Sequence, residues 1–192
     1  MEAAMQLAID ANFGGLGRWR EAHAACAGGG PARLVFQPST GTLAWRCDGG
    51  EGDGGVVVVL ERAAGQPLEP VDWAEVYACY QAAVLDTSGA WGASHDDVAG
   101  ALLLDVRRAG VFELAQDTLP GARWRNPAEV AAWAADCPRS RPVIVYCVYG
   151  HEVGRATALR LRAAGVDARY LRGGIDGWKT AGRPVTAKAP GA

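Results

Sequence analysis

From residue 101 to residue 181 of this 192-residue chain, short apolar runs alternate with helical patterns. Residues 101–106, 141–146 and 168–171 read as strands. Residues 126–135, opened by Asn126-Pro127, together with 152–164 and 175–181, read as helices. Strands separated by helices at this spacing form βα units, and hence a parallel sheet covered by helices. Ligands of such sheets bind at the carboxyl ends of the strands.

One of those ends is a cysteine. The run Val143-Ile144-Val145-Tyr146 leads into Cys147-Val148-Tyr149-Gly150-His151-Glu152-Val153-Gly154, and an alanine- and arginine-rich helical pattern follows at once. Loop amides and a helix N-terminus put partial positive charge where a thiolate would sit, so the sequence predicts a lowered thiol pKa and a nucleophilic sulfur at Cys147. Arg155 and residues 160–162 read as a solvated helix face. A phosphate-binding Cys-x5-Arg loop is the nearest chemical rival. It needs a guanidinium six positions after the cysteine, where this chain has Val153.

Composition excludes several classes. The chain is 49% hydrophobic with a net charge of -2, which gives no basic footprint for nucleic acid. Its longest apolar runs are a few residues, against the roughly 20 that a membrane span needs. The first residues, Met1-Glu2-Ala3-Ala4-Met5-Gln6, lack the pattern of a signal peptide. Five scattered cysteines, Cys26, Cys47, Cys79, Cys137 and Cys147, without a CxxC pair, suggest neither a disulfide framework nor a zinc site. They point to a reducing cytoplasm.

The first half has a different rhythm. Residues 5–27 read as helical with a break at Gly14-Gly15-Leu16-Gly17, and Gly28-Gly29-Gly30-Pro31 ends the segment. Residues 33–37, 43–46 and 56–61 read as strands, with a glycine and acid loop at 49–55. Residues 71–84 read as a helix with Asp72 near its start. The polar stretch 86–97 marks the boundary between the halves.

The blocks Leu102-Leu103-Leu104-Asp105-Val106-Arg107, Leu119-Pro120-Gly121-Ala122, Pro142-Val143-Ile144-Val145-Tyr146-Cys147 and Leu171-Arg172-Gly173-Gly174-Ile175-Asp176-Gly177-Trp178 resemble the rhodanese domain in order and spacing. The resemblance implies a sulfurtransferase over residues 98–186, followed by a flexible tail at 187–192. Cys147 would take a sulfane sulfur from a small donor such as thiosulfate or a persulfide. It would pass that sulfur to cyanide, a thiol or a protein cysteine, with no cofactor. Val148, Tyr149, Gly150, His151, Glu152 and Val153 would form the substrate loop, with Asp105 and Arg107 supporting it. Many loops of the family carry a cation near the position of Glu152. A carboxylate there would repel an anionic donor, and His151 would offset it. A non-catalytic persulfide sensor is the alternative.

Residues 7–21, from Leu7-Ala8-Ile9-Asp10 through Phe13-Gly14-Gly15 to Arg20-Glu21, resemble the start of the C-terminal domain of iron/manganese superoxide dismutases. The resemblance implies a small α+β domain with a three-stranded antiparallel sheet over residues 1–90. Glu69-Pro70-Val71-Asp72-Trp73-Ala74-Glu75-Val76 takes the place of the family's metal-binding block, with Asp72 at the ligand aspartate and Val76 where a histidine belongs. His23 and His95 fall outside the ligand positions. One carboxylate cannot hold a redox metal, so no metal site is expected. Dismutation by this half is the remote alternative, and a homodimer formed through it is the expected use of the scaffold.

Overall fold

Gly14 and Gly15 cut the first helical pattern in two. In the computed structural model, which describes residues 1–26, 30–47 and 55–188, helices α1 (Ala3–Phe13) and α2 (Leu16–Ala24) lie on either side of them. Gly14 ends α1 with φ 76°, a left-handed conformation that side chains resist, and its N–H donates to the Asp10 carbonyl. Strands β1 (Ala32–Gln37), β2 (Thr42–Arg46) and β3 (Val57–Arg62) then form an antiparallel sheet in the order β2-β1-β3. Met5 and Ile9 of α1, Trp19 of α2, and Leu34 and Phe36 of β1 are fully buried. Helix α3 (Trp73–Ser88) is capped by Asp72, whose carboxylate accepts from the N–H groups of Ala74 at 3.0 Å and Glu75 at 3.1 Å.

The chain divides into two compact units, Met1–Asp86 and Thr87–Ala192. Of the sequence expectations, residues 28 and 29 of the break, 49–54 of the loop and 189–192 of the tail lie outside the described residues; the start of the expected tail is structured, since Ala187 pairs with Asp117 and the Lys188 N–H donates to the Gln116 carbonyl.

The cysteines of the first unit correct one expectation. Cys26, just after α2, and Cys47, just after β2, are joined by a disulfide with their Cα atoms 4.8 Å apart. Their 21-residue separation conceals the pairing, because only the fold brings the ends of α2 and β2 together. Cys79, Cys137 and Cys147 are free thiols. The cysteine argument for a reducing compartment therefore loses its support. Among the described residues no helix is long and apolar enough to cross a membrane.

The second unit holds the parallel sheet. Its elements run β4 (Gly92–Ala93), β5 (Leu102–Asp105), α4 (Ala109–Leu114), β6 (Asp117–Thr118), β7 (Arg123–Trp124), α5 (Val130–Trp133), β8 (Val143–Tyr146), α6 (Glu152–Ala163), β9 (Ala168–Leu171), α7 (Gly174–Thr180) and β10 (Thr186–Ala187). Five strands are parallel in the order β4-β9-β8-β5-β7, while β6 and β10 form a separate antiparallel pair. Strand β4 takes this sheet upstream of residue 98, where the motifs placed its start. A Gly-Ala pair is too short to show a period of two.

Alternation along β8 sorts the core into two faces. Val143 and Val145 join Trp133 of α5 and Ala158 and Leu161 of α6. Ile144 and Tyr146 join Leu119, and Ile175 and Trp178 of α7. The helix expected over 126–135 is one turn of α-helix between two 3-10 turns, Pro127–Glu129 and Ala134–Asp136. Trp133 folds its indole back so that Nε1 donates to the Asn126 carbonyl at 2.8 Å, which holds the segment in this tight form.

Closing a loop of this length by a disulfide stabilises a fold by about 3 kcal/mol. Reducing the Cys26–Cys47 bond is expected to lower the urea midpoint of the first unit, and a Cys26→Ser, Cys47→Ser variant should show the lowered midpoint with or without reductant. An unchanged midpoint on reduction would show that the bond contributes nothing.

Candidate active site

Between the end of β8 and the start of α6 the chain turns from strand to helix over residues 147–151. Gly150 makes the turn, with φ 71°. A Cβ there would lie 2.7 Å from the Leu171 carbonyl oxygen and 2.8 Å from the Gly173 nitrogen. The loop is seated on the start of α7. The N–H of Ile175 donates to the Cys147 carbonyl and that of Asp176 to the Val148 carbonyl, both at 3.0 Å. Gly174 allows this approach, since a Cβ would overlap both carbonyl oxygens.

With its carbonyls turned toward α7, the loop turns its N–H groups toward the thiol. Backbone N–H groups of Gly154, Gly150, His151 and Tyr149 face the Cys147 sulfur and favour its anion. Gly154 lies in the first turn of α6, where a Cβ would stand 3.3 Å from Sγ. Cys147 itself is only 6% exposed. Burial pushes the Cys147 thiol up, the four amides pull it down, and burial prevails. This corrects the lowered pKa expected from the sequence. The donors are in place, but removing a thiolate from water outweighs them.

The other predicted loop residues divide by exposure. Tyr149 is 57% exposed, and His151, the N-cap residue of α6, is exposed beside it, the two rings 5.7 Å apart. Val148 and Val153 are half-buried, and the Val153 carbonyl accepts from the Thr157 hydroxyl at 2.8 Å. Glu152, the first residue of α6, is buried.

Asp105 and Arg107, at the end of the neighbouring strand β5, are both buried. They form a closed ion pair in which the Arg107 Nε donates to Asp105 Oδ1 at 3.0 Å and Oδ2 at 2.9 Å. Burial disfavours the guanidinium charge, but the hydrogen bond and attraction from Asp105 more than offset this and raise the Arg107 pKa. Tyr146, the residue before Cys147, ties the pair to the loop strand. Its hydroxyl donates to Asp105 Oδ2 at 3.0 Å and accepts from the Leu119 N–H at 3.1 Å. Burial and the Asp105 charge push the phenol far above its usual range, so it stays a neutral donor. The pair therefore acts on the loop through Tyr146, a role that sequence reasoning missed. A tyrosine in an apolar strand with an aspartate on the adjoining one is the available signal.

Arg155 corrects a second expectation. It does not belong to a solvated face: its Nε donates to the Gly150 carbonyl at 2.8 Å, its Nη1 to the Ser88 hydroxyl at 3.2 Å, and its guanidinium lies over the Tyr170 ring at 4.1 Å. Arg162 likewise stacks on Trp91 and donates to the Ala168 carbonyl. Long cationic side chains on an amphipathic helix cover apolar neighbours, and sequence alone does not reveal which ones. Cys137 lies in the apolar core of this unit, with its thiol also pushed up by burial. In the first unit Asp72 serves as a helix cap and Val76 is buried. Among the described residues no group of three or more His, Cys, Asp or Glu side chains is placed to hold a metal ion.

The second unit is thus an α/β domain whose parallel sheet carries a buried cysteine at the carboxyl end of its central strand, faced by backbone amides. Residues 90–181 match the rhodanese-like domain family. The chain is 30% identical to a sulfurtransferase from Allochromatium vinosum over 91 residues, 47% of this chain and 83% of that protein. The chain belongs to the rhodanese-like family, and at family level its function is of the sulfurtransferase type. Among solved structures, a full-length protein from Lactobacillus plantarum is 25% identical, with a TM-score of 0.49, covering 55% of this chain and 94% of that one. A rhodanese-related protein from Thermoplasma volcanium is 22% identical, with a TM-score of 0.44, covering 50% of this chain and 96% of that one.

The raised thiol sets a pH profile. Reactivity follows the thiolate, so alkylation of Cys147 by iodoacetamide is expected to reach its half-maximal rate at a pH above ~8.5, the midpoint of an ordinary thiol. The rate is read from the Cys147 peptide by mass spectrometry. A plateau below neutral pH would show that the amides, and not burial, govern the thiol.

Proposed function

We propose that the second unit is a sulfurtransferase that carries a sulfane sulfur on Cys147. The observation that carries this reading is the buried Cys147 sulfur facing four backbone N–H groups at the end of β8. In the first step the Cys147 thiolate attacks the outer sulfur of a donor, thiosulfate or a persulfide. The donor S–S bond breaks and its electron pair leaves with sulfite or a thiolate. In the second step a thiophilic acceptor, such as cyanide, a thiol or a protein cysteine, attacks the outer sulfur and returns Cys147 as thiolate. The two steps balance without an added oxidant or reductant.

Val148, Tyr149, Gly150, His151, Glu152 and Val153 form the substrate loop in this reading, with Asp105 and Arg107 supporting it. The amides of Tyr149, Gly150, His151 and Gly154 hold the anionic outer sulfur once it extends the thiol, as preorganised donors that need no rearrangement. The cytoplasm is the proposed location because it keeps the free Cys147 thiol reduced, with the Cys26–Cys47 bond as the exception that this setting must accommodate.

For the first unit we propose a dismutase-like scaffold, turned from metal binding to self-association. The reading is supported by the order of two helices, an antiparallel three-stranded sheet and a following helix. Strand β3 is an edge of that sheet and exposes Val57 and Val58. The expected outcome in sedimentation is a dimer that Val58→Lys dissociates, and a wild-type monomer at micromolar concentration would refute it.

Cys147→Ser is expected to lower sulfur transfer to cyanide by about a thousandfold or more, because the covalent carrier is removed. Undiminished transfer would overturn the enzyme reading. A wild-type protein that gains one sulfur and never releases it to cyanide or a thiol would make the unit a persulfide sensor instead.

A further inference from the structure

The cradle holds a sulfur with backbone and not with cations. Arg155 is the only lysine or arginine between residues 142 and 159. Its guanidinium is committed behind the loop, to the Gly150 carbonyl, the Ser88 hydroxyl and the Tyr170 ring. The first helical turn presents a carboxyl group, Glu152, in a buried position. At the lip stand two exposed rings, Tyr149 and His151.

These features bear on the donor. A thiolate and thiosulfate bring three negative charges to one buried sulfur, and sulfite leaves as a dianion. Charges drawn out of water need partners, and backbone amides aimed at Sγ can serve one sulfur but not a sulfonate beyond it. An alkyl persulfide places its second sulfur against the same amides and leaves its carbon part at the lip, where aromatic faces suit apolar and thiol-bearing groups.

Building on the sulfurtransferase reading of Cys147, we propose that the donor is an alkyl persulfide, R–S–S–H, and that the loop discriminates against thiosulfate because it offers a dianion no cation. The Cys147 sulfur forms a bond to the outer sulfur of R–S–S–H. The R–S to S bond breaks, R–S⁻ leaves with the electron pair, and the outer sulfur keeps its proton, giving Cys147–S–S–H. With an ionised donor, R–S–S⁻, the proton of the Cys147 thiol ends on the product persulfide, so the charge balances at the same value.

Loading is followed by the mass gain of the Cys147 peptide in the intact chain, with thiosulfate and with cysteine persulfide generated in place as the two probes. The expected rate constant for cysteine persulfide exceeds that for thiosulfate by about tenfold or more, the effect of one missing charge pair. A cation placed at the exposed lip, by His151→Arg or independently by Tyr149→Lys, is expected to raise the thiosulfate-to-persulfide ratio by about tenfold. Equal wild-type loading by both donors would overturn the donor assignment and leave the sulfurtransferase reading standing, as would a ratio that neither variant moves. Loading of Cys147 by neither donor would overturn that reading and this inference with it.

Discussion

The second unit is organised around a buried sulfur that has backbone N–H groups for company. Burial at 6% exposure favours the neutral thiol, and the four amides that face it work in the opposite direction. Their convergence forces the rest of the loop. Gly150 must adopt a positive φ, Gly154 must leave room beside Sγ, and the carbonyls displaced outward must find donors elsewhere. They find them on Ile175 and Asp176, at the start of α7. The closing Gly173-Gly174 block is therefore part of the loop's architecture: Gly174 is the place where the backbone of α7 reaches the backbone of the cradle.

Beneath the loop, the Asp105–Arg107 pair answers a different demand. Two charges are buried at the carboxyl end of β5, next to the strand that delivers the cysteine. A pair of this kind is a weak source of net stability, but removing one partner leaves an unpaired charge at a loss of about 3–5 kcal/mol. What the pair supplies is position. Asp105 holds the Tyr146 hydroxyl, Tyr146 holds the Leu119 N–H, and Arg107 holds the Asp117 carbonyl at 2.8 Å. The ends of β5 and β8 and the 117–119 segment are thereby fixed in register with one another.

How much of this could be read from residues follows from how each feature is encoded. Strand β8, helix α6 and the loop between them were legible because period, glycines and composition agree over consecutive positions. The three antiparallel strands of the first unit were legible for the same reason. Strands β4, β6, β7 and β10 have two residues each and carry no period. The thiol's raised pKa was hidden because the sequence names the donors but not the depth of burial against which they work. Arg155 looked solvated because its partners, Ser88 and Tyr170, stand 67 residues before it and 15 after it in the chain. Cys26 and Cys47 illustrate the same limit, since only the packed fold brings them together.

The central claim is that Cys147, and no other thiol of the chain, receives the sulfur. It is tested most directly by treating the protein with a sulfane donor and digesting it without reduction. The added sulfur is then located among the peptides carrying Cys79, Cys137 and Cys147. The account predicts the sulfur on Cys147, with Cys79 and Cys137 unmodified. Sulfur on either of the other two, with Cys147 unmodified, would contradict it.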